Sequence, residues 1–208
     1  MKKVNEKKLY SLLYRHFTKR DKEDDRLNGV LHKDGYLYAG TAHMIIRVQY
    51  GYPKEKEGIA IDRVGNIVEK PVVYESVITE PDMYGEVMSV EGVEKLRIAA
   101  KNIYRAKRKG FDPLIDIGLG TAKKYGYSDL ITYSAAYLKH SFDLFDLLKE
   151  QFEIYHRKAT TIYSIRLIFK SLESNTIVEF MPHLVNSYDL KYKDNVFTID
   201  EAIKYQKQ

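Results

Sequence analysis

The stretch from Leu27 to Tyr50 limits the possible folds more than any other part of the chain. Two runs rich in β-branched and aromatic residues, Leu27 to His32 and Tyr36 to Tyr50, flank Lys33-Asp34-Gly35. An Asp-Gly pair tolerates the positive φ that a tight hairpin turn demands, and that turn has the twist of the strands it joins. Antiparallel strands are therefore expected here. Gly51 to Gly58 reads as a polar loop. Further strands are expected over Gly58 to Asp62 and Asn66 to Thr79, joined by Arg63-Val64-Gly65-Asn66, and Glu80-Pro81-Asp82 breaks the run.

A half-buried sheet needs a cover, and amphipathic helices provide one. From residue 5 to 19, Leu9, Leu12, Leu13, His16 and Phe17 recur at helical spacing behind Asn5, a residue suited to an N-cap. Lys8, Arg15 and Lys19 line an adjoining face, and the charged run Arg20 to Arg26 reads as an exposed connection. Residues 91 to 109 repeat the pattern, with Val93, Leu96, Ala100 and Ile103 as the apolar stripe and Gly110 as the stop. A third helix is expected over residues 134 to 149 behind Ser134, with Leu138, Phe142, Phe145 and Leu148 facing inward. Short strands are expected at Leu114 to Leu119 and Asp129 to Tyr133. Others follow at Phe152 to Arg157, Thr161 to Leu172 and Thr176 to Met181, with a short helix at Ile199 to Lys207. The order defines an α+β protein of two halves, residues 1–86 and residues 87–208, the second with a C-terminal extension.

Composition narrows the chemistry. With 208 residues the chain can bury a core without staples, and with no cysteine it has no disulfide, thiol nucleophile or Cys-ligated metal. No apolar run reaches membrane-spanning length and no signal peptide is evident at Met1 to Lys8, so a cytoplasmic protein without a membrane partner is expected. Tyrosine is abundant at 18 residues, which suits sheet packing before it suits base stacking.

Motifs for catalysis are missing. Gly118-Leu119-Gly120-Thr121 lacks the further residues of a dinucleotide or phosphate loop, and no Gly-x-Ser-x-Gly elbow occurs. The six histidines show no metal-ligand spacing; His32, Asp34 and His43 are the nearest to a cluster, across the hairpin. No cofactor, no metal and no catalytic residue is expected, and the chain reads as a binding scaffold. Its net charge of +5 is mild, but the placement matters more. Arg97, Lys101, Arg105 and Arg108 recur at spacings that put them on one helical face, reinforced by Lys107 and Lys109. A solvated face is the ordinary reading of such a run, yet a row of one sign suits contact with phosphates.

Two stretches resemble the sliding clamps of DNA replication, in particular the bacterial polymerase III beta subunit. The first is Leu27-Asn28-Gly29-Val30-Leu31-His32-Lys33-Asp34-Gly35-Tyr36 through Ala39-Gly40-Thr41-Ala42-His43 to Val48. The second runs from Tyr133-Ser134-Ala135-Ala136-Tyr137-Leu138 to Phe142, followed by strands that end in Val178-Glu179-Phe180-Met181-Pro182. The resemblance implies a clamp-like fold of two similar halves, with helices packed on antiparallel sheets and a homo-oligomeric ring. It also implies sequence-independent contact with double-stranded DNA and a part in replication processivity beside a polymerase. Arg97, Lys101, Arg105 and Arg108, helped by Lys8, Arg15 and Lys19, would meet the DNA backbone, and Met181, Pro182 and His183 would lie near a partner-binding groove. Two other readings compete. One is a metal-dependent enzyme acting on nucleic acid or nucleotides, for which Asp34, Asp62 and Asp116 would have to converge; the other is a protein-interaction module whose basic face meets an acidic partner.

Overall fold

A computed structural model describes residues 4–18, 25–72, 78–79, 81–105, 112–119, 130–157, 165–185 and 195–205. It is an α+β protein built largely on antiparallel sheets. The chain separates into two compact units, and the division is not a single cut. The first unit takes Met1–Asp82 together with Leu144–Glu153 and Ile168–Phe180, and the second takes Met83–Asp143, Ile154–Leu167 and Met181–Gln208. The chain thus returns to the first unit twice after first leaving it.

In the first unit, strands β1 (Val30–Lys33) and β2 (Tyr36–Thr41) form the expected hairpin. Asp34 and Gly35 have φ of 51° and 77°, the conformation for which Asp-Gly is suited. The run expected to be one strand to Tyr50 folds back at Ala42-His43, so Met44–Gln49 becomes strand β3 antiparallel to β2. The reason is length: hydrophobic content extends across the bend, and periodicity alone does not register a two-residue turn. Strand β4 (Ala60–Ile61) pairs with β1; of the Asn66 to Thr79 run, the described residues 66–72 and 78–79 contribute one bridge at Ile67, and residues 73–77 lie outside the described residues. Gly29 sits where β1 approaches the following segment; a Cβ there would lie 2.8 Å from the Val68 side chain.

The far edge of β3 is completed from distant sequence. Strand β10 (Ile177–Phe180) pairs with it in the register Ile177↔Arg47 to Phe180↔Met44. Strand β9 (Leu167–Ser171) continues the order β4-β1-β2-β3-β10-β9. One sheet face carries Leu37, Ala39, Met44, Ile46, Val48, Val178 and Phe180, all buried. Helix α1 (Glu6–Leu12), which runs into a π-type turn over Leu13–Phe17, brings Leu9, Leu13 and Phe17 to full burial, and that turn packs on β2 and β3. Phe145, from the end of helix α3 (Ala135–Leu148), extends the layer through ring contacts with Phe152 and Phe169, and Phe169 touches Phe180. The opposite face holds a smaller cluster of Leu31, Tyr38, Ala60 and Val68. Its covering segment is pinned where Thr79 donates its N–H and hydroxyl to the buried Glu179 carboxylate at 2.7 and 2.8 Å.

In the second unit, β5 (Tyr84–Val87) pairs with β8 (Phe152–Arg157) through a bulge. Helix α2 (Val90–Tyr104) starts at Ser89, whose hydroxyl accepts the Gly92 N–H. It buries Leu96, Ala99, Ala100 and Ile103, while Val93 is half-buried. The helix runs to Tyr104 with Arg105 as its C-cap; residues 106–110, which hold the rest of the expected helix and its Gly110 stop, lie outside the described residues. A four-stranded sheet has the order β11-β7-β6-β12, from β6 (Leu114–Asp116), β7 (Leu130–Ser134), β11 (His183–Val185) and β12 (Val196–Thr198). Strand β12 runs parallel to β6 and leads into helix α4 (Ile199–Lys204) through a Thr198/Glu201 capping box. Helix α4 packs on α2, and Asn102 of α2 donates to the Ile203 and Ala202 carbonyls.

Candidate nucleic-acid interface

The outward face of α1 is the most uniformly basic helical surface among the described residues. Asn5 caps the helix by accepting the Lys8 N–H at 3.0 Å, and the anchors Leu9, Leu13 and Phe17 fix which side turns away from the sheet. That side exposes Lys7, Lys8, Ser11 and Arg15, with Leu12 and His16 half-buried beside them, around an open depression of about 410 Å³. Arg15 and His16 fall in the last turn, where the helix dipole favours positive charge. Among the described residues no carboxylate lines this depression, and Lys7, Lys8 and Arg15 enter no ion pair. Glu6 is displaced to the flank that carries Tyr10 and Tyr50. Lys19 lies outside the described residues.

Helix α2 carries its cations differently. Arg97 is half-buried, with its guanidinium carbon 4.9 Å from the Phe142 ring centre and its Nε 3.8 Å from Glu94. Lys95 is bound to Glu91 one turn away at 2.7 Å. Lys101 and Arg105 are exposed and enter no ion pair among the described residues, and Arg105 is already the C-cap. Arg108 lies outside the described residues. The described part of the expected four-cation row is therefore one packed arginine, one exposed lysine and one cap residue.

Met181 and Pro182 are half-buried and lead into β11, an edge strand of its sheet. The His183 carbonyl accepts the Thr132 hydroxyl at 2.9 Å, and its ring lies 6.3 Å from that of Tyr137. Of the carboxylates required by the enzyme reading, those of Asp62 and Asp116 are occupied in their own turns. Asp34 sits at the hairpin tip, where its N–H donates to Glu57. Burial alone would raise the Asp62 carboxyl, but N–H donors from Asn66, Val64 and Gly65 outweigh it and hold the group below its ordinary range. Asp116 accepts the Gly118 N–H. Among the described residues no three His, Asp or Glu side chains gather as a metal site.

Two histidine clusters were not legible in sequence. His32 is fully buried on the helix-facing side of β1. It lies opposite Leu37, whereas His43 is exposed in the turn at the far end of β2, so the two do not meet across the hairpin. Its Nδ1 is 3.0 Å from the Ile59 carbonyl and its Nε2 2.7 Å from the Tyr10 hydroxyl, with the Tyr52 ring edge-on at 5.1 Å. Burial lowers its pKa, and nearby Lys56 adds to the effect. Burial likewise raises the Tyr10 and Tyr14 phenols, the latter to about 12. In the second unit, buried His140 lies 3.3 Å from the Asp143 carboxylate, which also binds Lys139. Burial would raise Asp143, but hydrogen bonds from His140 and Lys139 hold it low. Tyr104 of α2 packs edge-on against His140 and beneath Lys139.

Comparisons with protein-family models, with curated proteins and with solved structures return no match. No helix among the described residues is long and apolar enough to cross a membrane.

Proposed function

We propose that the protein is a non-catalytic, clamp-like DNA-associated protein that holds the duplex backbone through helix surfaces, with α1 as the principal contact. The observation that carries this reading is the α1 face: Lys7, Lys8 and Arg15 around one open depression, with no carboxylate among the described residues that line it. Phosphates need mobile positive charge and no particular base edge, and an unpaired lysine or arginine supplies it without first breaking an ion pair. Ser11 adds a hydroxyl donor in the same depression. Lys101 and Arg105 provide a second, smaller set of exposed cations. A part in replication processivity and a homo-oligomeric ring belong to the same proposal.

Fluorescence anisotropy on unrelated duplexes tests it. Binding should not depend on sequence. Three phosphate contacts give a slope of about −2.7 in log affinity against log salt, or a roughly 40-fold loss between about 50 and 200 mM. Lys7→Glu, Lys8→Glu and Arg15→Glu together should remove that slope. Binding that survives the triple variant, or that goes to an acidic protein after nuclease treatment and not to DNA, overturns the reading. Mass in solution with and without DNA tests the ring: a homo-oligomer supports it, and a monomer without DNA affinity removes it.

A further inference from the structure

His32 is the only histidine among the described residues with zero exposure, and it ties the helix that carries the basic face to the sheet beneath it. The Ile59 carbonyl can only accept, so Nδ1 carries a proton. In the neutral ring Nε2 then presents a lone pair, and Tyr10 of α1 donates its hydroxyl proton to it. The Tyr10 and His32 rings also stack, with centroids 5.8 Å apart. Tyr14, one turn on, donates to the Ile61 carbonyl on β4, so α1 has two phenol ties to neighbouring strands.

Protonation of Nε2 would put two donors face to face. The Tyr10 hydroxyl would have to turn its proton away from a buried site, and a charged ring would lose water without gaining a carboxylate. The groups facing it do not compensate. Lys56 sits 5.7 Å over the Tyr10 ring and adds positive charge. Among the described residues Glu57 is the acid that acts on the His32 ring, but one of its oxygens takes the Asp34 N–H and the other the Tyr52 hydroxyl. Lys33 also acts on Glu57, and Glu6 lies on the Tyr10 flank.

We infer that His32 is a proton-operated latch: the neutral imidazole holds α1 against the sheet through Tyr10, and the charged imidazole releases it. Its use as a regulator of DNA contact rests on the function proposed above; the latch itself does not. Since the seated ring resists protonation and the released ring does not, release grows as pH falls below the ordinary histidine value of about 6.5 and levels off once the seated ring itself takes a proton.

Hydrogen exchange of the α1 amides, corrected for intrinsic rate, reads the release in the whole chain. Between about pH 7.5 and about pH 5.5 the opening of α1 should rise by up to about tenfold. His32→Gln, which keeps a donor and an acceptor but no titrating group, should flatten that response. Tyr10→Phe, which removes only the hydroxyl, should raise opening at about pH 7.5 by about fivefold. If the glutamine variant does not fold, an NMR titration of the unaltered protein decides: α1 amide shifts should share the His32 midpoint. Opening that ignores pH, a response that persists in His32→Gln, or α1 shifts that follow His16 instead would each overturn the latch. Loss of duplex binding at about pH 7.5, where the latch is closed, concerns the DNA reading alone.

Discussion

Helices α1 and α2 both bury an apolar stripe and turn lysines and arginines outward, but their carboxylates are placed differently. On α1 the single acid, Glu6, sits on the flank away from Lys8 and Arg15. On α2 Glu91 and Glu94 alternate with the cations, so Lys95 and Arg97 are partly neutralised before any ligand arrives. A row of like residues in sequence is therefore not a row of like potential. One acid placed three or four residues from a base converts a binding face into a self-satisfied one.

Measurements on variants of the two helices test this difference. The largest effect is expected at the seat of α1. That helix spans only Glu6–Leu12 before its π-type turn, too short to persist without its anchors. Phe17→Ala should cost about 3–5 kcal/mol in denaturant unfolding. Duplex affinity should fall with it, because the basic face loses its support; affinity kept at full strength would show that α2 carries the binding. A smaller effect is expected at Arg97. Its guanidinium over Phe142 makes it a packing residue, so Arg97→Gln should cost about 0.5–1 kcal/mol and leave the salt slope of binding unchanged. A slope reduced by about one unit would restore Arg97 to the phosphate-contacting set.

The smallest effect separates the surroundings of the two helices by pH. Asp143, beside the Tyr104–His140 pair, is held below its ordinary range in the folded state. Its contribution is present above the unfolded carboxyl value of about 3.9 and is lost as pH falls through the lower folded value. His32 behaves in the other direction of charge: its folded value is lowered, so its neutral form contributes fully above about 6.5 and the loss begins below that point. Thermal melts should therefore show a first decline in mildly acid solution that His32→Gln removes. A second decline, below about pH 4, should shrink in Asp143→Asn. A single decline abolished by neither variant would mean that other groups govern acid stability.

Much of the local structure was legible in sequence because local chemistry encodes it. Asp34-Gly35, the Asn5 cap, the strand from Phe152 to Arg157 and the turn at Ser174-Asn175 all lie where side-chain pattern and turn residues put them. The partition was not legible. Val178 and Phe180 read as strand residues, yet nothing in a period of two says that they pair with Ile46 and Met44 across more than a hundred positions. The candidate site was half legible. Lys8 and Arg15 stand out in any reading of charge, but the burial of Arg97 against Phe142 depends on a contact between separate helices. His32 and Tyr10 meet only because α1 lies on β1, and neither residue carries a motif that announces the other.

Strand β10 has a consequence for how the chain is made. On a ribosome, Ala39 to Val48 emerges long before Ile177 to Phe180, so the first unit's sheet waits with the β3 edge open until most of the polypeptide has been synthesised. An exposed edge bearing Ile45, Ile46 and Val48 is the sort of surface that recruits a wrong strand. A product that ends before residue 177 lacks the partner strand of that edge altogether.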